Sequence, residues 1–280
     1  MSAVQFDPVN QYLSTRLKAS APSWKPLLAG SSNKLYSADV NGEALVLRLN
    51  APVSRAFGVN RQREAGILKL LAGYQWAPSV ICNAPEEGWL LMQWHGEPGA
   101  MPLSGEDQQR LLDMVSQWHQ LTSDDAELQI DYQALFEDFR PQVAGLPMEQ
   151  PLLALIEGAQ KALASLPALP KAVTHHDLHA ANICFDDNGQ MVVVDWEYGA
   201  IGNPWFDLAA LNIHFNIQSE YLAMLPIAAE LEQLVFQKAL KRANWLLQVL
   251  ETLWYWARGL EGTELTMKQL VTRTIQLLKQ

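Results

Sequence analysis

The residues that the 280-residue chain has least of narrow its chemistry first. Cysteine occurs twice, at Cys82 and Cys184, far apart and in apolar settings, which fits buried free thiols in a reducing compartment better than a disulfide framework. Positive charge is in deficit: 20 Lys and Arg against 30 Asp and Glu leave a net charge of -10. A nucleic-acid partner, which demands a basic surface, is therefore not expected. No window approaches roughly eighteen uninterrupted apolar residues, so no membrane span is expected. The opening Met-Ser-Ala-Val-Gln-Phe-Asp-Pro has neither the basic flank nor the apolar run of a signal peptide. Internal repeats and low-complexity tracts are missing too. These absences lead to an expectation of a cytoplasmic protein, monomer or homodimer, of one large or two modest domains. The acidic balance suits a cationic small ligand without requiring one.

What is present is concentrated between Val173 and Trp196. The stretch reads as a loop holding Asp177 and Asn182, a strand from Ile183 to Phe185, a tight turn through Asp186, Asp187, Asn188 and Gly189, a second strand from Met191 to Val194, and then Asp195. Asn-Gly between apolar runs signals a hairpin, because it supplies positive φ angles. Closing that hairpin brings Asp177, Asn182 and Asp195 together. Two carboxylates and an amide are hard oxygen ligands suited to magnesium, which binds through one or two carboxylates plus substrate phosphates. In phosphoryl transfer one aspartate takes the proton of the attacking hydroxyl, while an asparagine and a second aspartate hold the metal. An ordinary hairpin with an Asx turn at each end is the competing reading, and His175, His176 and His179 beside Asp177 leave a zinc site as another.

At these residues the chain resembles the aminoglycoside phosphotransferase and choline kinase superfamily of small-molecule kinases. His175-His176-Asp177-Leu178-His179-Ala180-Ala181-Asn182 is similar to its catalytic loop, and Val194-Asp195-Trp196-Glu197-Tyr198 to the metal-binding motif of its choline and thiamine kinase branch. The resemblance implies ATP and Mg2+ as cofactors and Asp177 as catalytic base. It also implies Asn182 and Asp195 as metal ligands, His175 as a brace of the catalytic loop, and Glu197 behind the metal or on the substrate side. It implies a bilobal, protein-kinase-like α+β fold. A small antiparallel-sheet lobe over residues 1–93 would bind nucleotide, and a larger, mainly helical lobe over 94–280 would carry catalysis and substrate.

Other features fit that frame individually. Gly30, Ser31, Ser32 and Asn33 form a small-residue turn whose amides could approach a phosphate, although the turn is poorer in glycine than the loops of protein kinases. Alternation over residues 44–50 puts Leu45, Leu47 and Leu49 on one face and Ala44, Val46 and Arg48 on the other. Arg48 thus projects from an apolar face, either toward phosphates or, as an isolated arginine would, toward water. Asn60 caps a helix whose Glu64, Leu68 and Leu71 share a face, and Glu64 is the expected partner of Arg48. Gln93-Trp94-His95-Gly96 reads as the hinge, with backbone near Gln93 and Trp94 contacting adenine.

Eleven residues separate Asp195 from Asp207, too few for a segment that docks a peptide substrate. Asp207 is expected to cap a helix or brace the catalytic loop. Helices are expected over 231–260 and 264–278, where Trp245, Trp254, Tyr255 and Trp256 crowd together. With Glu251 nearby, Trp254 and Trp256 could hold a quaternary nitrogen, although aromatic residues at helical spacing also suit a core. The expected acceptor is a small alcohol of thiamine or choline type, with an aminoglycoside or a sugar next. A pseudokinase and a metal-dependent hydrolase remain as different classes.

Overall fold

The computed structural model describes residues 6–27, 33–52, 57–259 and 265–280. Helix α1 (Asp7–Arg16) starts with Phe6 as its N-cap, although Asp7 followed by Pro8 reads in sequence as a cap and first turn. Asp7 instead occupies the first turn, where its charge favours the positive end of the helix. Val9 and Leu13 of α1 pack with Tyr36, Leu45, Leu47, Trp89 and Leu91 in a small apolar core.

Those partners come from one face of an antiparallel sheet ordered β1-β2-β3-β5-β4. Its strands are β1 (Lys25–Pro26), β2 (Lys34–Val40), β3 (Glu43–Leu49), β4 (Val80–Ala84) and β5 (Trp89–Gln93). Asn41 and Gly42 both have positive φ, 55° and 86°, as the two-residue turn between β2 and β3 requires. The alternation expected in β3 holds: Leu45 and Leu47 enter the small core, while Val46 and Arg48 line a cavity on the other face. Strand β4 gave no sequence signal because all five of its residues are half-buried, so neither face stands out.

Helix α2 (Arg61–Leu71) follows β3, and the Asn60 side chain accepts from the amides of Gln62 and Arg63. Its buried face, with Ile67, Leu68 and Leu71, joins the larger core formed by the rest of the chain. That part contains α3 (Gly105–Trp118), α4 (Tyr132–Val143), α5 (Glu149–Ala164), α6 (Trp205–His214), α7 (Ser219–Ala223), α8 (Gln233–Arg258) and α9 (Met267–Leu278). Helix α4 contains Pro141, runs on through it and buries Val143.

Two small sheets set the site. Strand β7 (Ala172–Thr174) pairs with β10 (Ala200–Gly202), and β8 (Ile183–Phe185) forms a hairpin with β9 (Met191–Val193). The hairpin turn is wider than expected. Gly189 has positive φ but Asn188 does not, and Asp186 closes a three-residue loop by taking the amides of Asn188 and Gln190 on its carboxylate.

After β5 the chain enters β6 (Glu97–Pro98), which pairs with β8, so the segment leaving the large sheet is bonded to the hairpin. Gly96 makes this possible: its φ is 83°, and a Cβ there would lie 1.7 Å from the Phe185 carbonyl oxygen. Gly96→Ala is expected to lower unfolding free energy by about 2 kcal/mol or more. An unchanged denaturation midpoint would show that the two backbones can separate freely.

Candidate active site

The hairpin brings its two ends together. The Val194 amide donates to the Asn182 carbonyl at 2.9 Å, so the residue before Asp195 is tied to Asn182. Asn182 closes a short 3-10 turn and donates its Nδ2 to the Asp177 carbonyl at 2.8 Å. Asp177, Asn182 and Asp195 line one cavity of about 1240 Å3. That exceeds the roughly 300–1,000 Å3 usual for one small ligand, which leaves room for two side by side.

Two non-glycine residues here have positive φ, His176 at 67° and Asp195 at 60°. Such backbone costs about 1–3 kcal/mol and persists only where its surroundings impose it. Asp207 holds the first. Its fully buried carboxylate, in the first turn of α6, accepts from the amides of His175 and His176 and from Trp118 Nε1 at 2.9 Å, and lies 3.1 Å from His119 Nε2. Burial alone would raise its pKa, but the His119 hydrogen bond and the nearby imidazoles bring it down to about 2.

His175 does not line the cavity. It is fully buried, its Nε2 pairs with the Val194 carbonyl at 3.0 Å, and its Nδ1 accepts the Asp177 amide at 3.3 Å. These contacts place the proton on Nε2, and burial lowers the pKa, so His175 is neutral and ties the Asp177 amide to the Val194 carbonyl. His176 is pinned by the Thr174 carbonyl at Nδ1 and by the Tyr132 hydroxyl at 2.7 Å from Nε2, and burial depresses its pKa to about 4. Tyr132 also takes the Asn203 amide at 2.7 Å. His179 lies 3.6 Å from Asp177, with both side chains about two-fifths exposed. Desolvation works against its charge, yet Asp177 brings the net shift upward.

The donor set fits a divalent ion delivered with phosphates. Burial raises the Asp195 pKa to about 7, with Glu197, Asp177 and Glu64 adding to the rise and Arg48 opposing it. That surplus of negative charge is what a hard cation would cancel. Asn182 spends its Nδ2 on Asp177, which leaves Oδ1 as the amide atom able to ligate a cation. No group of three or more His, Cys, Asp or Glu able to hold a metal occurs among the described residues. The zinc reading therefore gains no support, whereas magnesium completes its shell with phosphate oxygens and water.

Across the cavity Arg48 meets Glu64 at 2.6 Å and Asp195 at 3.2 Å. Burial would weaken its charge, and Glu64, Asp195 and Glu197 more than restore it. Arg61, not singled out by sequence patterning, joins this network at the start of α2. It reaches Glu64 at 3.1 Å, Glu197 at 3.0 Å and Asn33 Oδ1 at 3.0 Å. Its position one helical turn before Glu64 was the available signal. Glu197 is buried and holds Asn33 Nδ2 at 2.7 Å, so its carboxylate is engaged with Asn33 and Arg61. Gly30, Ser31 and Ser32, expected beside Asn33 at a phosphate, lie outside the described residues.

Leu35, Val46, Leu90 and Met92 give the same side of the cavity an apolar roof. Gln93 and Trp94 line its edge, but their amides are already used, by the Ser79 carbonyl at 3.0 Å and the Ala44 carbonyl at 2.9 Å. A base lodged there would have to be read by other hinge atoms.

The opposite end is aromatic, with Phe57, Tyr132, Phe139, Tyr198, Trp254 and Tyr255. Trp254 Nε1 donates to the Tyr198 hydroxyl at 2.9 Å, and the Arg258 guanidinium lies 4.5 Å from the centre of its ring. Trp256, a candidate for the same wall, is buried in the core and donates to Thr274. Helical periodicity could not decide between them, because α8 buries most of its circumference. Glu251 lines the cavity but is not a free counter-ion: His214 sits 2.9 Å from one oxygen and Arg273 holds the other.

The fold recurs in solved small-molecule kinases. The choline kinase LicA from Streptococcus pneumoniae aligns over 99% of this chain and 98% of its own, with a TM-score of 0.72 at 16% identity. A choline/ethanolamine kinase family protein from Mesorhizobium loti covers 98% of this chain and 94% of its own, with a TM-score of 0.67 at 20% identity. The gentamicin–APH(2")-IIa complex covers 100% and 97%, with a TM-score of 0.70 at 15% identity. These likenesses make the α+β architecture kinase-like. No curated protein sequence matches the chain. The sequence profile of the phosphotransferase enzyme family matches residues 23–234, most of the chain, and the protein belongs to that family.

Proposed function

We propose that the protein transfers the terminal phosphoryl group of ATP to a hydroxyl of a small molecule, with an alcohol of thiamine or choline type ahead of an aminoglycoside or a sugar. The observation that carries this is the meeting of Asp177, Asn182 and Asp195 in one cavity between the Arg48–Glu64 pair and an aromatic wall. The nucleotide would lie against the large sheet, within residues 1–93, and the acceptor against residues 94–280. Asp177, partly exposed beside His179, is placed to align the hydroxyl and take its proton, a role typically worth about 10²–10⁴ in rate. Arg48, anchored by Glu64, presents fixed positive charge to the phosphates. Asp195 and Asn182 would hold Mg2+, which would neutralise the charge of the phosphates. A non-catalytic role would leave the combination of Asp177 with these two ligands without a use.

The charge at the acceptor end favours a small alcohol over a polycation. An aminoglycoside would need several uncompensated carboxylates, whereas Glu251 is already balanced by His214 and Arg273. With ATP and Mg2+, a phosphotransfer panel of thiamine, choline, ethanolamine and kanamycin, read by product mass, is expected to show turnover with thiamine or choline. Turnover confined to kanamycin would reverse the preference. ATP consumption absent with every acceptor, together with no nucleotide binding, would remove the kinase reading.

A further inference from the structure

Three helices converge on the acceptor end of the cavity, and each contributes a charged or ionisable side chain. His214 ends α6, Glu251 lies in the last third of α8 and Arg273 lies in the middle of α9. All three line the cavity, with side chains 28%, 28% and 30% exposed. Both oxygens of Glu251 are engaged: one faces His214 Nε2 at 2.9 Å and the other accepts from Arg273 Nη2. These two neighbours hold the carboxylate below its usual pKa although burial pushes the other way. Arg273 is not saturated. Nη2 serves Glu251 and the Gln248 carbonyl at 3.3 Å, while Nη1 and Nε have no partner among the described residues. A guanidinium has five N–H donors and no acceptor, so this one offers donors to whatever fills that end of the cavity.

The surrounding wall leads to the same conclusion. One face of Trp254 is covered by the Arg258 guanidinium and is not open to a second cation. Burial raises the pKa of the Tyr255 hydroxyl, with Glu251 and Asp177 adding to the rise and Arg273 opposing it. The cluster and Asp177 line the same cavity.

We propose that Arg273, clamped by Glu251, is a specificity residue that binds a lone-pair acceptor at the far end of the alcohol. That acceptor is a ring nitrogen, carbonyl, hydroxyl or carboxylate, and no fixed cation sits against Glu251. This rests on the kinase reading above and sharpens it: of the two alcohol types, one with a heteroatom-bearing second ring fits, and a bare quaternary ammonium does not. Leaving an N–H unpaired in a desolvated pocket is what penalises the wrong substrate.

The test pairs two alcohols that share the hydroxyethylthiazolium end: thiamine, and its benzyl counterpart in which phenyl replaces the aminopyrimidine. With the full chain, ATP and Mg2+, the KM for thiamine is expected to be about tenfold or more below that of the benzyl alcohol. Arg273→Met is expected to raise the thiamine KM to the benzyl value, leaving the benzyl KM, kcat and the KM for ATP within about twofold. Arg273→Lys should recover part of the difference, which a purely structural role would not produce. If Arg273→Met fails to fold, as a melting curve would show, Arg273→Gln carries the same comparison. Equal KM values for the two alcohols, or a thiamine KM indifferent to Arg273, would overturn the assignment and leave the kinase reading standing. So would turnover of choline in preference to both. Failure to phosphorylate any alcohol would sink the kinase reading along with it.

Discussion

Asp177→Ala is expected to lower kcat by about 10²–10⁴ or more while leaving the dissociation constant for ATP within about twofold. The split follows from placement. Asp177 lines the cavity with its side chain 40% exposed, and its carboxylate makes no contact with Arg48 or Glu64. Its structural tie is through the backbone: its amide goes to His175 Nδ1, and its carbonyl takes Asn182 Nδ2. Alanine keeps both. Calorimetric titration with ATP separates binding from turnover, and thermal melting reports on the fold. A collapsed melting transition would make Asp177 structural. Retained turnover would move the proton-accepting role elsewhere, with His179 the nearest alternative.

The largest expected loss of stability belongs to Asp207. Removing a fully buried carboxylate that receives two backbone amides, an indole N–H and an imidazole leaves those donors unmatched, and Asp207→Ala should cost about 3–5 kcal/mol. Catalysis should fall with it, because the amides of His175 and His176 would lose the acceptor that fixes the loop before Asp177. Asp207→Asn, similar in shape but unable to accept as many bonds, should lie between. The pH dependence has a definite sign. The folded pKa of about 2 lies below the ordinary aspartate value, so the stabilisation is complete above about pH 4 and is lost as pH falls toward 2. The difference amounts to about 2 kcal/mol. Denaturant melts of wild type and Asp207→Asn at pH 7 and pH 3 would converge at the lower pH. Parallel curves would mean that Asp207 contributes nothing to acid sensitivity.

The sequence made the centre of the site legible because that centre is local. Asp177, Asn182 and Asp195 are joined by a hairpin whose strands are three residues long, and the turn signal sits in the same stretch. The Arg48–Glu64 pair was legible for a similar reason: strand alternation and helix spacing each chose one face, and charge matched the two. What stayed hidden depends on distant packing. Arg273 and Glu251 stand 22 positions apart on different helices, and nothing in either helix marks a cavity-facing side. Tyr132 reaches His176 across 44 positions. Trp256 and Trp254 are two positions apart with opposite fates, core and cavity, which periodicity alone does not separate.

The wiring also bears on how such a protein could change substrate over evolutionary time. Nearly every contact that shapes the loop before Asp177 comes from the span 174–207, with Trp118 and His119 adding theirs through Asp207. Trp254, Tyr255 and Arg273 contribute none of these contacts among the described residues. Substitutions at these three positions could therefore accumulate in a lineage with little collateral effect on phosphoryl transfer. Tyr132 is different, because it lines the aromatic end of the cavity and also fixes His176 and Asn203. Descendants retooled for another alcohol should keep that phenol even where the rest of the wall has been rewritten.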